Sequence, residues 1–193
     1  MAGKRQPTVT REQIIAGAAL VFDRVGYGNA ALSAITDEAG VTKGALYFHF
    51  SSKEELALAV IETQHALAMT VARDAAERNG SPLAALQEIT REFARLLLTS
   101  VIMRAGIKLT LESSIISVRV VEPYEEWQTT CQTFAEKAVA AGELRSDLDT
   151  EAFARFIVSS FTGAQLVSGV LSERADLLQR VDQLWDFLLR QQT

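Results

Sequence analysis

The chain has 193 residues, of which 48% are hydrophobic and 22% charged, with a formal net charge of −5. A chain this long and apolar buries a sizeable core, which excludes extended disorder, and its single cysteine, Cys131, excludes an intramolecular disulfide or a cysteine-rich zinc centre. No apolar run approaches the ~18 residues of a membrane span and MAGKRQPTVT has no secretory core, so a cytoplasmic protein with no membrane partner is expected.

Three prolines and 11 glycines favour long helices, so the fold class expected is all-α. The charge is unevenly placed. Residues 1–53 hold Lys4, Arg5, Arg11, Arg24, Lys43 and Lys53 against Glu12, Asp23, Asp37 and Glu38, a balance of +2 that leaves −7 on the remainder. A basic end on an acidic body suits a protein that touches DNA at one end.

Residues 1–9 have no periodicity and read either as a basic arm that grazes DNA or as a plain disordered terminus. Thr10 is an N-cap, and Gln13 completes a capping box. Ile14, Ala18, Val21, Phe22 and Val25 then follow helical spacing to a stop at Gly26, with Gly28 beyond. Leu32 and Ser33 open a second helix, with Ser33 as its N-cap and Ile35 and Ala39 facing inward. Gly40 ends it in the left-handed conformation, Val41 plugs the core under the turn, and Thr42 caps a third helix.

On that third helix Ala45, Leu46 and Phe50 share one side, while Lys43 and Tyr47 share another. A cation, a phenol and a Gly44 that admits close backbone approach are what a DNA-facing side needs. Two short helices joined by a glycine-containing turn form the helix-turn-helix signature, whose second helix enters the major groove. Lys53 stands at the entry to helix four, where the first amides with Ser51 or Ser52 offer an anion site for a phosphate.

These residues resemble the TetR family of bacterial repressors. Phe22 to Tyr27 is similar to the end of the family's first helix. Ile35, Ala39, Gly40, Val41, Lys43, Gly44, Leu46, Tyr47, His49, Phe50, Lys53, Glu54 and Leu56 follow its hallmark pattern, over about a quarter of the chain. The resemblance implies a three-helix DNA-binding domain over residues 1–53 and a ligand-binding and dimerisation body over residues 54–193, with about nine helices in all. It also implies that Ser33, Thr42, Lys43, Gly44, Tyr47, His49 and Lys53 lie at or near DNA. The role of His49 rests on the resemblance alone.

Helix four runs from Glu54 to a break at Asn79-Gly80, and Ser81-Pro82 starts helix five by the proline-at-N1 rule. Arg104 to Glu112 forms a shorter segment, followed by SSIISVRVV, a loop or irregular helix end. Pro123 restarts a helix that ends at Gly142, Asp149 caps the next, and the last begins near Arg174. The two C-terminal helices carry broad apolar stripes, and Gly163, Ala164 and Gly169 permit close approach, so they are expected to pair with a second copy as a four-helix bundle.

Gln64, Thr110, Trp127, Thr130, Thr162 and Gln165 are polar groups set into apolar surfaces, the composition of a small-molecule pocket. YFHF, RAGIKLTLE at 104–112 and the Pro-Tyr-x-x-Trp of 123–127 further resemble the γ-butyrolactone receptor branch of the family. That branch places a tryptophan at the ligand, which implies Trp127. Gln64 and Thr162 are candidates for the lactone oxygen and hydroxyl, and Val158 and Phe161 for the walls of an acyl tail. The function implied is a dimeric repressor, released from operator DNA by a butyrolactone-like effector and controlling antibiotic or other secondary metabolite production. A relative that senses an antibiotic or other hydrophobic compound and controls efflux or resistance stays open, as does a non-sensing DNA-binding protein. There is no phosphate loop, no HExxH and no Cys–His–acid grouping, so neither an enzyme nor a cofactor or metal is expected.

Overall fold

The computed structural model describes residues 10–114, 116 and 121–190. The basic arm at residues 1–9 and most of the SSIISVRVV run therefore lie outside the described residues. Among those described there are nine helices and no strand. They are α1 (Arg11–Asn29), α2 (Leu32–Ala39), α3 (Lys43–His49), α4 (Lys53–Arg78), α5 (Pro82–Thr99), α6 (Val101–Leu111), α7 (Glu122–Ala140), α8 (Thr150–Ser172) and α9 (Leu177–Arg190). The expected all-α fold is the one observed. The chain divides into two compact units, one comprising the chain up to Ala66 together with residues 100–120, the other comprising 67–99 and 121–193. The helix α4 contributes to both.

The first unit closes on Ile14, Phe22, Ile35, Leu46, Phe50, Leu56, Val60 and Leu109, all at most 1% exposed. Each such side chain stabilises the unit by about 1.5–3 kcal/mol relative to exposure. Gly17 lets α1 and α2 touch, since a Cβ there would stand 2.6 Å from that of Ala39. Thr10 caps α1 as its position suggests, accepting the Gln13 amide at 3.2 Å. The rest of the capping box is not formed. Gln13 Nε2 donates instead to the Ala39 carbonyl at 2.8 Å, satisfying a C-terminal acceptor of α2 that the turn leaves open.

Two expected helix boundaries differ. The backbone of α1 breaks at Gly26 (φ 75°, ψ 173°) as expected but resumes for one turn to Asn29. The reason is long-range: Glu112, just past α6, accepts the Tyr27 amide at 2.7 Å and caps the resumed turn. The N-cap of α2 is Ala31 rather than Ser33, with no side-chain cap bond. Ser33 sits inside the first turn, where its carbonyl accepts the Thr36 hydroxyl at 2.8 Å.

In the second unit α5, α7, α8 and α9 pack around Leu86, Ile89, Leu97, Ala135, Ile157, Val181 and Trp185. Trp185 is buried, and its indole N–H donates to Thr90 Oγ1 at 2.7 Å. Asp149 caps α8 through the Ala152 amide at 2.9 Å. The corner from α8 to α9 passes through Glu173 (φ 51°) and Arg174 (φ 70°), both left-handed. Asp176 steadies it, accepting from the hydroxyls of Ser168 and Ser172.

The helix α8 is, by length and composition, long and apolar enough to cross a membrane, with a mean hydropathy of 1.2 over its most apolar window. Its apolar residues are not confined to one stripe. Phe153, Ala154 and Ile157 are buried, while Phe156, Leu166, Val167, Val170 and Leu171 are exposed.

Candidate DNA interface and effector site

In α3 the buried side is fixed by Leu46 and, at the C-cap, Phe50. The rest of the helix surface carries Lys43, Gly44, Tyr47 and Phe48, all exposed. Lys43 Nζ lies 5.8 Å from the centroid of the Tyr47 ring, so the expected i, i+4 pair forms. Gly40 takes φ 65° and ends α2, which sets the angle at which α3 leaves the turn. Thr42 caps α3 by accepting the Ala45 amide at 3.2 Å, leaving its hydroxyl proton free to donate outward. Ser33 is exposed at the start of α2. His49 is half-buried at the end of α3, edge-on to Phe48 at 5.1 Å.

Lys53 is turned inward. Its ammonium donates to the carbonyls of Tyr27 at 2.8 Å and Ala30 at 3.0 Å and lies 4.4 Å from the Tyr27 ring. It thereby ties the start of α4 to the end of α1, with one donor remaining. The phosphate site expected at the start of α4 is already filled by protein. Glu55 turns its carboxylate back onto the Ser51 amide and hydroxyl, both at 2.7 Å, while Ser52 Oγ accepts the Glu55 amide. A capping box supplies the anion itself, and the Ser51 bonds hold the Glu55 carboxyl below its ordinary range.

The expected effector residues fall into two groups. Gln64 and Thr110 belong to the first unit and both meet Gly106. A Cβ on Gly106 would come within 2.4 Å of Gln64 Cβ, and Thr110 donates to the Gly106 carbonyl at 2.9 Å. Gln64 is buried, with Nε2 3.5 Å from Met103 Sδ.

Trp127, Thr130, Val158, Phe161 and Thr162 belong to the second unit, and all are half-buried. Phe93 of α5 joins two of them. The Trp127 ring stands edge-on to it at 4.4 Å, and the Phe161 ring lies 6.1 Å away. Thr162 hydrogen-bonds the Tyr124 phenol across α7 and α8. Burial pushes that phenol above its ordinary value and the Thr162 bond pulls it back in part, so it stays protonated at neutral pH. One turn further along α8, Gln165 is 2% exposed and its Nε2 has no hydrogen-bond partner. A buried amide one helical turn from an aromatic cluster is the kind of polar group that fixes a ligand's orientation in an apolar pocket.

Gln165 is among the polar groups expected in the pocket, whereas Tyr124 and Phe93 are additions that the structure makes. Tyr124 sits one turn before Trp127, which places both on one face of α7. Gln165 follows Phe161 by one turn in the same way. Phe93 carries no local signal beyond its apolar stripe. A polar groove of about 220 Å³ between α7 and α8, lined by Glu125, Gln128, Thr129, Gln132, Glu151, Ala154 and Arg155, lacks the apolar walls an acyl chain needs. Cys131 is buried, and burial pushes its thiol up to about 12, so it acts as a small core residue. No cluster of three metal-ligating side chains occurs among the described residues.

Exposed apolar side chains collect on the last two helices. Val170 is 85% exposed, Leu171 and Phe187 71% each, and Phe156 53%. Exposed apolar surface of this kind marks an interaction face.

Comparison with known proteins agrees with this geometry. Residues 14–60 match the model for bacterial regulatory proteins of the tetR family, and residues 80–192 match the tetracyclin repressor-like C-terminal domain. The A-factor receptor protein of Streptomyces griseus is 38% identical over 189 residues, 98% of this chain; the chain spans 66% of that receptor's length. Many solved structures are similar, among them three receptors or regulators of this kind. One, solved to explain control of antibiotic production by bacterial hormones, has a TM-score of 0.86 and 34% identity over 93% of this chain and 95% of its own. A γ-butyrolactone receptor described as ArpA-like has a TM-score of 0.78 and 35% identity, over 93% and 86%. CprB of Streptomyces coelicolor, solved with its operator sequence, has a TM-score of 0.81 and 35% identity, over 93% and 86%.

Proposed function

The chain belongs to the TetR family of bacterial regulatory proteins, and from that premise we propose a cytoplasmic, dimeric repressor that an acylated γ-butyrolactone releases from its operator. Residues 1–53 read the DNA and residues 54–193 bind effector and partner. Two copies of α3, one per protomer, enter successive major grooves about 34 Å apart on a near-palindromic site. Lys43, Tyr47, Thr42 and Ser33 supply donors for phosphates, Gly44 gives room for close approach, and His49 stands at the edge of the contact. Lys53 holds α1 and α4 in register behind the contact rather than reaching out with its full charge.

The observation that carries the effector reading is the unpartnered Nε2 of Gln165, one turn along α8 from Phe161 and Thr162, which belong to the Trp127–Phe93–Phe161 cluster and the Tyr124–Thr162 pair. A lactone carbonyl answers the amide, a hydroxyl on the ligand joins the Tyr124–Thr162 pair, and an alkyl chain lies along Val158 and Phe161. Thr130, on the α7 helix that carries Trp127, borders the same cluster. Gln64 and Thr110, on α4 and α6, sense the change in the first unit. Effector binding favours a state with α4 displaced. Moving the population from 99% bound-competent to 99% released needs about 5.5 kcal/mol of differential affinity. No step of this cycle requires catalysis or a cofactor.

The test is a gel shift on DNA from upstream of the protein's own gene, titrated with acylated γ-butyrolactones. Release at stoichiometric lactone supports the reading. Release by antibiotics or unrelated hydrophobic compounds, with lactones inert, replaces it with a resistance or efflux regulator.

A further inference from the structure

On a helix advancing about 100° per residue, the buried centre of α3 lies between Leu46 and Phe50. Lys43 and Tyr47 then fall on one flank and Ala45 and His49 on the other. The two positions directly opposite the core are Gly44 and Phe48. Those two point deepest into any groove that α3 enters, while the flanking cation and phenol meet the phosphate walls. Gly44 adds no bulk there: a Cβ would meet only Thr42 Oγ1, at 3.9 Å. Phe48 is 85% exposed, a large aromatic ring held in water with the His49 ring edge-on to it. The charged flank fits phosphates, but a phenyl ring at the centre of the face fits nothing on a phosphate backbone. In the major groove the apolar group that base edges present is the C5-methyl of thymine.

We propose that Phe48 is a sequence-reading residue, selecting a thymine at one position of each operator half-site by packing its ring on the thymine methyl. This rests on the assignment of α3 as the DNA reader. The ring exchanges contact with water for contact with the methyl, so the gain is apolar and largely independent of salt, unlike the Lys43 contribution. Cytosine, lacking the methyl, and the purines at that position leave the ring exposed or crowd it.

The experiment selects binding sites from random DNA with the full-length protein, then replaces each thymine of the selected site in turn by deoxyuridine. Wild type should show one position per half-site at which the loss of the methyl weakens binding about 4-fold, as expected for one buried methyl group. Phe48→Ala should bind thymine and deoxyuridine there equally, and sites selected with it should lose the thymine preference at that position only. Phe48→Leu, still apolar, should retain part of the discrimination. Phe48 is exposed, so helicity and melting temperature should be unchanged in both variants. A flat deoxyuridine scan with wild type, or a Phe48→Ala protein as sensitive as wild type, overturns the inference. Lys43→Ala with Tyr47→Ala separates the two failures. If that double variant loses all binding while the scan is flat, the reader stands and Phe48 is not its thymine contact. If it binds as wild type, the assignment of α3 falls and takes the Phe48 proposal with it.

Discussion

The carboxylate of Glu112 accepts the backbone N–H of Tyr27 at 2.7 Å, where α1 breaks at Gly26. The bond spans 85 residues and joins the end of α6 to the helix against which the DNA reader packs. Two more residues of α6 reach the same stretch, Arg104 to the Asp23 carboxylate at 2.8 Å and Lys108 to the Asp23 carbonyl at 3.0 Å. Glu112→Ala leaves the Tyr27 amide without its partner and should cost about 1.5–3 kcal/mol, the range for bonds to a charged group. Glu112→Gln keeps an acceptor and should cost less. Urea denaturation of both variants checks the order, and equal losses would show that the bond is not the source.

Loss of Lys43 and Tyr47 together should abolish operator binding without changing helicity, because both are exposed and neither supports the core. Lys43→Ala alone should weaken binding uniformly across sequences and reduce the slope of log affinity against log salt by about 1. A double variant that still binds tightly in a gel shift would overturn the reader assignment.

Gln165→Leu removes a buried donor that has no acceptor in the free protein. It should raise the stability of the effector-free form by about 1 kcal/mol, or about 2–4 °C in melting temperature, while weakening lactone binding. A variant less stable than wild type and fully responsive would refute this role. Trp127 emission is the natural readout. Trp185 is buried and bonded to Thr90, so replacing it costs stability, and Trp127→Phe is the cleaner control.

Val170→Glu combined with Phe187→Glu places charges on the exposed apolar face of α8 and α9 and should yield monomers by light scattering. A monomer engages one half-site, so operator affinity should fall by at least about 100-fold through lost effective concentration. A dimer that survives both charges would put the interface elsewhere.

Asp176 is held down to about 2 from 3.8, chiefly by hydrogen bonds from Ser168 and then Ser172. Because the folded value is lowered, its contribution to stability is complete above pH 3.8 and is lost as pH falls through about 2. The gap in melting temperature between wild type and Asp176→Asn should be constant near neutrality and close over that acid range. A gap that persists at pH 2 would assign the effect to packing.

Features set by neighbouring residues were legible in the sequence. The caps at Thr10, Thr42 and Asp149, the left-handed Gly40 and the Lys43–Tyr47 pair each depend on spacings of three or four residues or on one backbone conformation. Ser33 is a good capping residue by type, but the cap is Ala31, two residues earlier, and Ser33 falls inside the first turn. Ser51 and Ser52 misled in another way: the serines do cap, but Glu55 supplies the anion that a phosphate was expected to bring. Lys53 turns inward toward carbonyls 23 and 26 residues away, and Glu112 reaches Tyr27 over a still longer interval. No local pattern carries such contacts. Within the effector site Trp127 is visible through its motif and Gln165 through its polarity among apolar residues, but the unpartnered state of the Gln165 amide is not.

Gly106 presses so closely on Gln64 that there is no spare atom between α4 and α6. Gears cut this tightly have no backlash. Any travel of α4 at Gln64 is handed to α6 in full, and α6 is itself toothed into α1 by Arg104, Lys108 and Glu112. In the release proposed above, the reader would therefore turn as one rigid tool and be rotated out of register with its own helices still intact.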